Sequence, residues 1–181
     1  MRALAAAAAL VVLLLAVAAA SAAPLAPSHH AAALCGVERW SVKTLMDRPR
    51  LLPLKVTTIA YLTSRPAPAS LPSYRLPFER HVFQVRAHID LIRLEADQDF
   101  HVVLSDPQGR TMIAESPAPG CTSGATPSRR SQMASARRAV RSCPGLATVT
   151  GVAFFDFNHG QTGVAPNAIE LHPILAFRCG V

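Results

Sequence analysis

The sequence predicts a mainly β domain with one substantial helix, on three observations. Residues 79–115 hold three extended runs in which apolar and polar residues alternate, separated by short turn segments. Ser128 to Arg141 is rich in Ala and Arg and places Met133, Ala136 and Val140 at helical spacing. Val149 to Ile174 supplies two further extended runs around a loop rich in Gly, Asn and Pro.

In chain order, Arg2 is the only charge before an Ala/Leu/Val run that extends to Ala20, and Ala20-Ser21-Ala22 fits a cleavage site. These are the parts of a secretory signal peptide over residues 1–22. An uncleaved membrane anchor is the competing reading; the weak hydrophobicity of alanine and the lack of a basic stop favour cleavage. Cleavage removes 22 of the 181 residues and leaves 159, enough for one domain with a sizeable core. The mature chain then belongs in the periplasm or outside the cell, with no stable membrane span.

Residues 23–78 read as an N-terminal extension with a Pro-rich connector. Its first dozen residues are a loose leader of Ala, Pro and His. Glu38 to Thr44 alternates like a short strand with Trp40 and Val42 on one face, and Thr57 to Leu62 reads as one or two helical turns capped by a threonine. Pro66, Pro68, Pro72 and Pro77 mark the connector.

Residues 79–181 read as the main domain. Phe83, Val85, Ala87, Ile89 and Leu91 share one parity, and the apolar phase then slips to Ile92 and Leu94, the sign of a bulge in a long bent strand. Phe100 to Leu104 and Arg110 to Glu115 are the next strands, joined by the turn Asp106-Pro-Gln-Gly109. Three meandering strands, a helix and two strands is the order of an OB-like five-stranded barrel. Another small α+β barrel or sheet is the alternative.

The whole chain carries a formal charge of +7. Losing Arg2 leaves 17 Lys and Arg against 11 Asp and Glu, a balance that fits an anionic polymer or envelope surface as partner. Four cysteines bound for an oxidising compartment imply two disulfides, and no C-x-x-C spacing suggests a zinc cluster. An antiparallel hairpin centred near Gln161 to Gly163, with Phe155 opposite Glu170, brings Cys143 and Cys179 to neighbouring strand ends. Cys35 and Cys121 form the remaining pair.

Four segments carry a family resemblance. They are Glu38-Arg-Trp-Ser-Val-Lys-Thr44, Thr57-Thr-Ile-Ala-Tyr-Leu62, His101 to Glu115, and Val149 to Ile174 with its Phe154-Phe-Asp-Phe-Asn-His-Gly-Gln-Thr-Gly163 core. On these segments the chain resembles a family of small secreted bacterial proteins. The resemblance implies a secreted single domain and brings no reaction with it.

The polar residues within these apolar runs are the candidates for chemistry. Glu170 and His172 share the parity opposite Ile169 and Leu171, so they point the same way along a strand, with Asp156 and His159 near the end of the preceding one. Two imidazoles and two carboxylates suit a divalent metal or acid–base work. Hydrogen bonding within the loop accounts for Asp156 and His159 with fewer assumptions. His101, Asp106 and Glu115 form a second group, for which turn-making by Asp106 is the simpler reading. Gly160 and Gly163 allow close backbone approach beside Gln161, and Phe154, Phe155 and Phe157 offer stacking surfaces, two of them expected in the core. Arg129, Arg130, Arg137, Arg138 and Arg141 line the helix and suit phosphates or an anionic envelope, as a solvated face would also explain. Ser105 lacks a nucleophile elbow. The expectation is a secreted, disulfide-stabilised binding module for a polyanion or glycan, without a cofactor and with His159, Gln161, Glu170, His172, Arg137 and Arg138 as ligand contacts. The alternative is a divalent-metal hydrolase using Asp156, His159, Glu170 and His172.

Overall fold

The structure, a computed structural model, describes residues 35–36, 38–141, 143 and 145–180. The expected signal peptide and the leader to residue 34 lie outside the described residues. In chain order the elements are α1 (Trp40–Lys43), β1 (Lys55–Val56), α2 (Ile59–Thr63), β2 (Val82–Leu94), β3 (Phe100–Ser105), β4 (Thr111–Ser116), α3 (Pro127–Val140), β5 (Gly145–Phe155) and β6 (Ile169–Cys179).

Strands β2, β3 and β4 form the antiparallel meander; β6 runs parallel to β4, and β5 pairs antiparallel with both β6 and β2. The ring therefore closes in the order β2-β3-β4-β6-β5, with α3 between β4 and β5. This is the mainly β, OB-like five-stranded barrel that the element order predicts. The length of β2 lets it serve two neighbours: Val82 to Ile89 pair with β5, and His88 to Leu94 with β3. Its register against β3 shifts between Ile89 and Leu91, just ahead of the apolar phase change in the sequence. Inward-facing Val85, Val102, Leu104, Met112, Val149 and Leu171 fill the barrel, all at or near zero exposure. A smaller cluster outside it, including Leu45, Met133, Val152 and Leu175, seats α3 on the wall.

The turn before β4 forms as its composition demands. Gly109 has φ 76° and donates its N–H to the Asp106 carbonyl at 2.9 Å, while Asp106 Oδ1 accepts from the Gln108 and Arg110 amides. Helix α3 starts at Pro127 behind Thr126, whose hydroxyl caps the Arg129 amide. In α2 the Thr58 hydroxyl accepts from the Tyr61 amide.

Two local expectations are corrected. Residues 38–44 are not a strand: the segment turns through α1, entered from Arg39 at φ 48°. Arg39, Val42 and Leu45 are buried at three-residue spacing, so the period that matters is helical, and a seven-residue stretch was too short to separate it from alternation. The closing hairpin places Phe154, not Phe155, opposite Glu170. Irregularities around Thr150, Gly151 and Ala153 then shift the register toward the cysteines, so that Ala147 faces Cys179. The shift leaves the expected bridges in place: Cys143–Cys179 and Cys35–Cys121 both form, with Cα separations of 5.5 and 5.7 Å. Among the described residues no cysteine is free and no helix is long and apolar enough to cross a membrane.

The N-terminal segment is built into the barrel. β1 adds a short parallel strand to the edge of β2, and Leu71 and Leu76 of the connector pack on the core. Its main anchor is Arg39. The guanidinium makes a two-pronged pair with Glu79, both contacts at 2.7 Å, and also donates to the carbonyls of Phe155, Pro72 and Tyr74. Glu79 in turn accepts from the Phe155 and Leu76 amides, so the buried carboxylate is fully engaged.

Candidate functional site

Strand alternation sends one set of side chains into the barrel and the other to its outer wall. On β3, β4 and β6 that second set includes His101, Glu115, Glu170 and His172. His101 and Glu115 are direct cross-strand partners. Ile113 aligns with Glu170 on the parallel β4–β6 pair, so two residues further along both strands Glu115 comes beside His172. Asp99, just ahead of β3, closes the group from the side.

The outcome is a polar cluster sealed from solvent. His101 and His172 are at 0% exposure, Asp99 and Glu170 at 1% and Glu115 at 8%. The cover comes from two directions. Phe154 sets its ring edge-on to His172 at 5.7 Å, with Arg39 and Lys43 above it. The β5–β6 loop lies over β3: the Thr162 carbonyl accepts from His101 Nε2 at 2.8 Å, and Gly163, at φ 83°, rests against Val103 so closely that a Cβ would sit 2.4 Å from a Val103 methyl.

Glu115 is the hub. Its Oε1 lies 3.2 Å from His101 Nδ1, and its Oε2 lies 3.2 Å from His172 Nδ1 without the alignment of a hydrogen bond. Burial opposes its charge, but the His101 bond, the approach of His172 and the charge of Lys43 overcome that and hold the carboxyl well below the usual range. For His101, burial alone would lower the pKa; the bonds to Glu115 and Thr162 outweigh it and raise it. Glu170 is pushed well above the ordinary value by burial and by the neighbouring Glu115 and Asp156. Asp99 is pushed up to about 6 by burial, against the pull of His172. Four atoms around the His172 ring lack hydrogen-bond partners: both of its nitrogens, Asp99 Oδ2 at 3.6 Å from Nε2, and Glu170 Oε2 at 3.9 Å from Nδ1.

Sequence reasoning placed Glu170 and His172 on one face, and there they are. It grouped them with Asp156 and His159, and the structure does not bring those four together. Asp156 is bonded to Lys43 at 2.8 Å, and His159 stands exposed in the loop, 2.8 Å from Glu38. Gln161 braces that loop, accepting from the His159 amide and donating to the Phe157 carbonyl. The side chains that join Glu170 and His172 are Asp99, His101 and Glu115. The sequence puts His101 and Glu115 in a separate group and does not single out Asp99. Asp106 serves its turn, and Glu115 faces the two imidazoles. Phe154 and Phe155 are core and Phe157 is exposed, the expected division.

The arginines of α3 also divide. Arg137 is largely buried: it donates to the carbonyls of Ser116 and Gln98 and stacks over Phe100 at 4.1 Å, so most of its donors are engaged within the fold. Arg138 and Arg141 are exposed beside it. With Arg137 and the chain around Pro119 and Gly120 they line a cleft of about 410 Å³ that has no carboxylate among its lining residues.

No protein-family model matches the chain, and no curated protein matches it. Among solved structures, a Leishmania major Friedlin protein assigned as an aspartyl-tRNA synthetase is similar at 11% identity and a TM-score of 0.44, over 71% of this chain and 23% of that one. The chain thus spans about a quarter of that protein, and a likeness of this degree carries no argument about a ligand.

Proposed function

We propose that the protein is a secreted, disulfide-stabilised binding module that takes an anionic polymer on the arginine face of α3. The observation that carries this reading is the cleft beside α3. Arg138 and Arg141 present their charge there, no carboxylate is among the residues that line the cleft, and the largely buried Arg137 fixes the helix against the β3–β4 end of the barrel. The net charge of the mature chain and the resemblance to small secreted bacterial proteins support it. Exposed guanidinium groups are matched to phosphate, sulfate and carboxylate groups by charge and by their forked donors.

The hydrolase alternative fares less well. A catalytic metal keeps a position open for water or substrate, whereas His172 and Glu170 are sealed from solvent, with Phe154 edge-on to the imidazole.

Chromatography on heparin and on immobilised DNA tests the proposal. The mature chain is expected to be retained at low salt and released as salt rises. The Arg138→Ala/Arg141→Ala variant is expected to elute earlier with an unchanged melting temperature. No retention of the wild type, or equal retention of both proteins, would remove the assignment.

A further inference from the structure

We infer that the outer wall of the barrel holds a buried divalent-cation site whose protein ligands are Asp99, Glu115 and His172. Each of the three offers one donor atom, and these atoms lie within 4.8 Å of one another. A metal with bonds of about 2.0–2.2 Å to nitrogen and oxygen sets neighbouring ligand atoms roughly 3.3 Å apart in a tetrahedron and somewhat further in an octahedron. Two contacts are of that size, 3.2 Å from His172 Nδ1 to Glu115 and 3.6 Å from His172 Nε2 to Asp99, one on each ring nitrogen; a cation uses one of the two nitrogens, with the three donor atoms within 4.8 Å of one another.

Spacing alone would not single out this group, because Glu95, His101 and Glu115 are also close together. Satisfaction of the polar atoms separates the two. His101 has both ring nitrogens partnered, and Glu95 is half-buried and bonded to Arg93 at 2.6 Å. In the Asp99 group, both nitrogens of a fully buried imidazole and one oxygen of a buried carboxylate have no hydrogen-bond partner. Buried polar atoms are nearly always satisfied, so a set of orphans converging on one ring calls for a ligand. A cation satisfies one ring nitrogen and the carboxylate oxygen beside it, and the nitrogen that it does not take keeps a carboxylate oxygen within 4 Å to orient the ring.

The donor chemistry chooses the class of ion. One imidazole with two carboxylates suits zinc, manganese or ferrous iron; calcium and magnesium prefer all-oxygen cages. The enclosure makes the role structural: an ion here ties β3, β4 and β6 together beneath the N-terminal segment. The site shares no residue with the arginine cleft, so each stands or falls separately.

The test uses the mature chain stripped with chelator and titrated with Co²⁺ and Zn²⁺. The expected result is one ion per chain, visible d–d bands with Co²⁺, and a melting temperature raised by about 5–10 °C at a hundredfold excess over Kd. Asp99→Asn and Glu115→Gln, which keep side-chain volume, are expected to weaken binding at least about tenfold, while His159→Ala leaves the titration unchanged. Absence of bands and of any thermal shift in the wild type overturns the site without reference to a variant. Binding that survives both carboxylate substitutions and disappears in His159→Ala overturns it as well.

Discussion

Glu115 receives one imidazole on each carboxylate oxygen, and its neighbours respond electrostatically. Burial raises the pKa of Asp99 from an ordinary 3.8 to about 6 and lifts that of Glu170, so the folded chain holds protons there that the unfolded chain has released. Folding stability from such groups falls as pH rises through the shifted range. Glu115 acts in the opposite sense: its contribution is present above its ordinary value of 4.5 and is lost below it. On these groups the metal-free chain is expected to lose stability as pH rises from 4.5. Between there and pH 6, Asp99 alone is expected to remove about 2 kcal/mol. Chelator-treated melts across this range would show it, and Asp99→Asn should flatten the decline; a melting temperature that climbs from pH 4.5 to 6 would contradict it. Part of this cluster was legible in the sequence, since parity alone put Glu170 with His172. The merger of the two groups was not legible, because it depends on the parallel β4–β6 pairing of strands more than fifty residues apart, and no local pattern encodes that register.

At the scale of elements, the N-terminal segment and the β5–β6 loop act as a cover over an otherwise ordinary barrel wall. The cover is held by Arg39 and Glu79, both buried and both fully hydrogen-bonded. Removing one member of such a pair leaves an unpaired buried charge, so Arg39→Ala is expected to destabilise the protein by about 3–5 kcal/mol. Chemical denaturation measures this, and a loss below about 1 kcal/mol would show that the segment is not anchored there. Strands, turn and main helix were readable because each has a full period of apolar residues or a committed turn residue: Gly109 and Asp106 in one case, Met133, Ala136 and Val140 in another. Helix α1 was not readable. It is one turn long, its buried face includes a charged residue, and Arg39 looks like a surface position until Glu79 is seen opposite it.

For the whole molecule, barrel closure and the two bridges set the frame on which the arginine face is displayed. The Cys143–Cys179 bridge spans 36 residues and latches the closing hairpin. On the chain-entropy account, a loop of that length is worth about 4 kcal/mol. The Cys143→Ser/Cys179→Ser variant is expected to melt about 8–16 °C lower, a shift that calorimetry reads directly; an unchanged melting temperature would mean that the hairpin needs no latch. The element order and the cysteine arithmetic made the barrel and its bridges legible from the sequence. Which arginines face solvent was not, because only the packed structure shows Arg137 spent on the carbonyls of Ser116 and Gln98. The central claim is that Arg138 and Arg141 bind an anionic polymer through charge. Its most direct test is the dependence of heparin affinity on salt, for wild type and for the Arg138→Ala/Arg141→Ala variant. The account expects the logarithmic slope to become shallower by about 2 in the variant, one unit for each guanidinium removed; parallel slopes of equal affinity would contradict it.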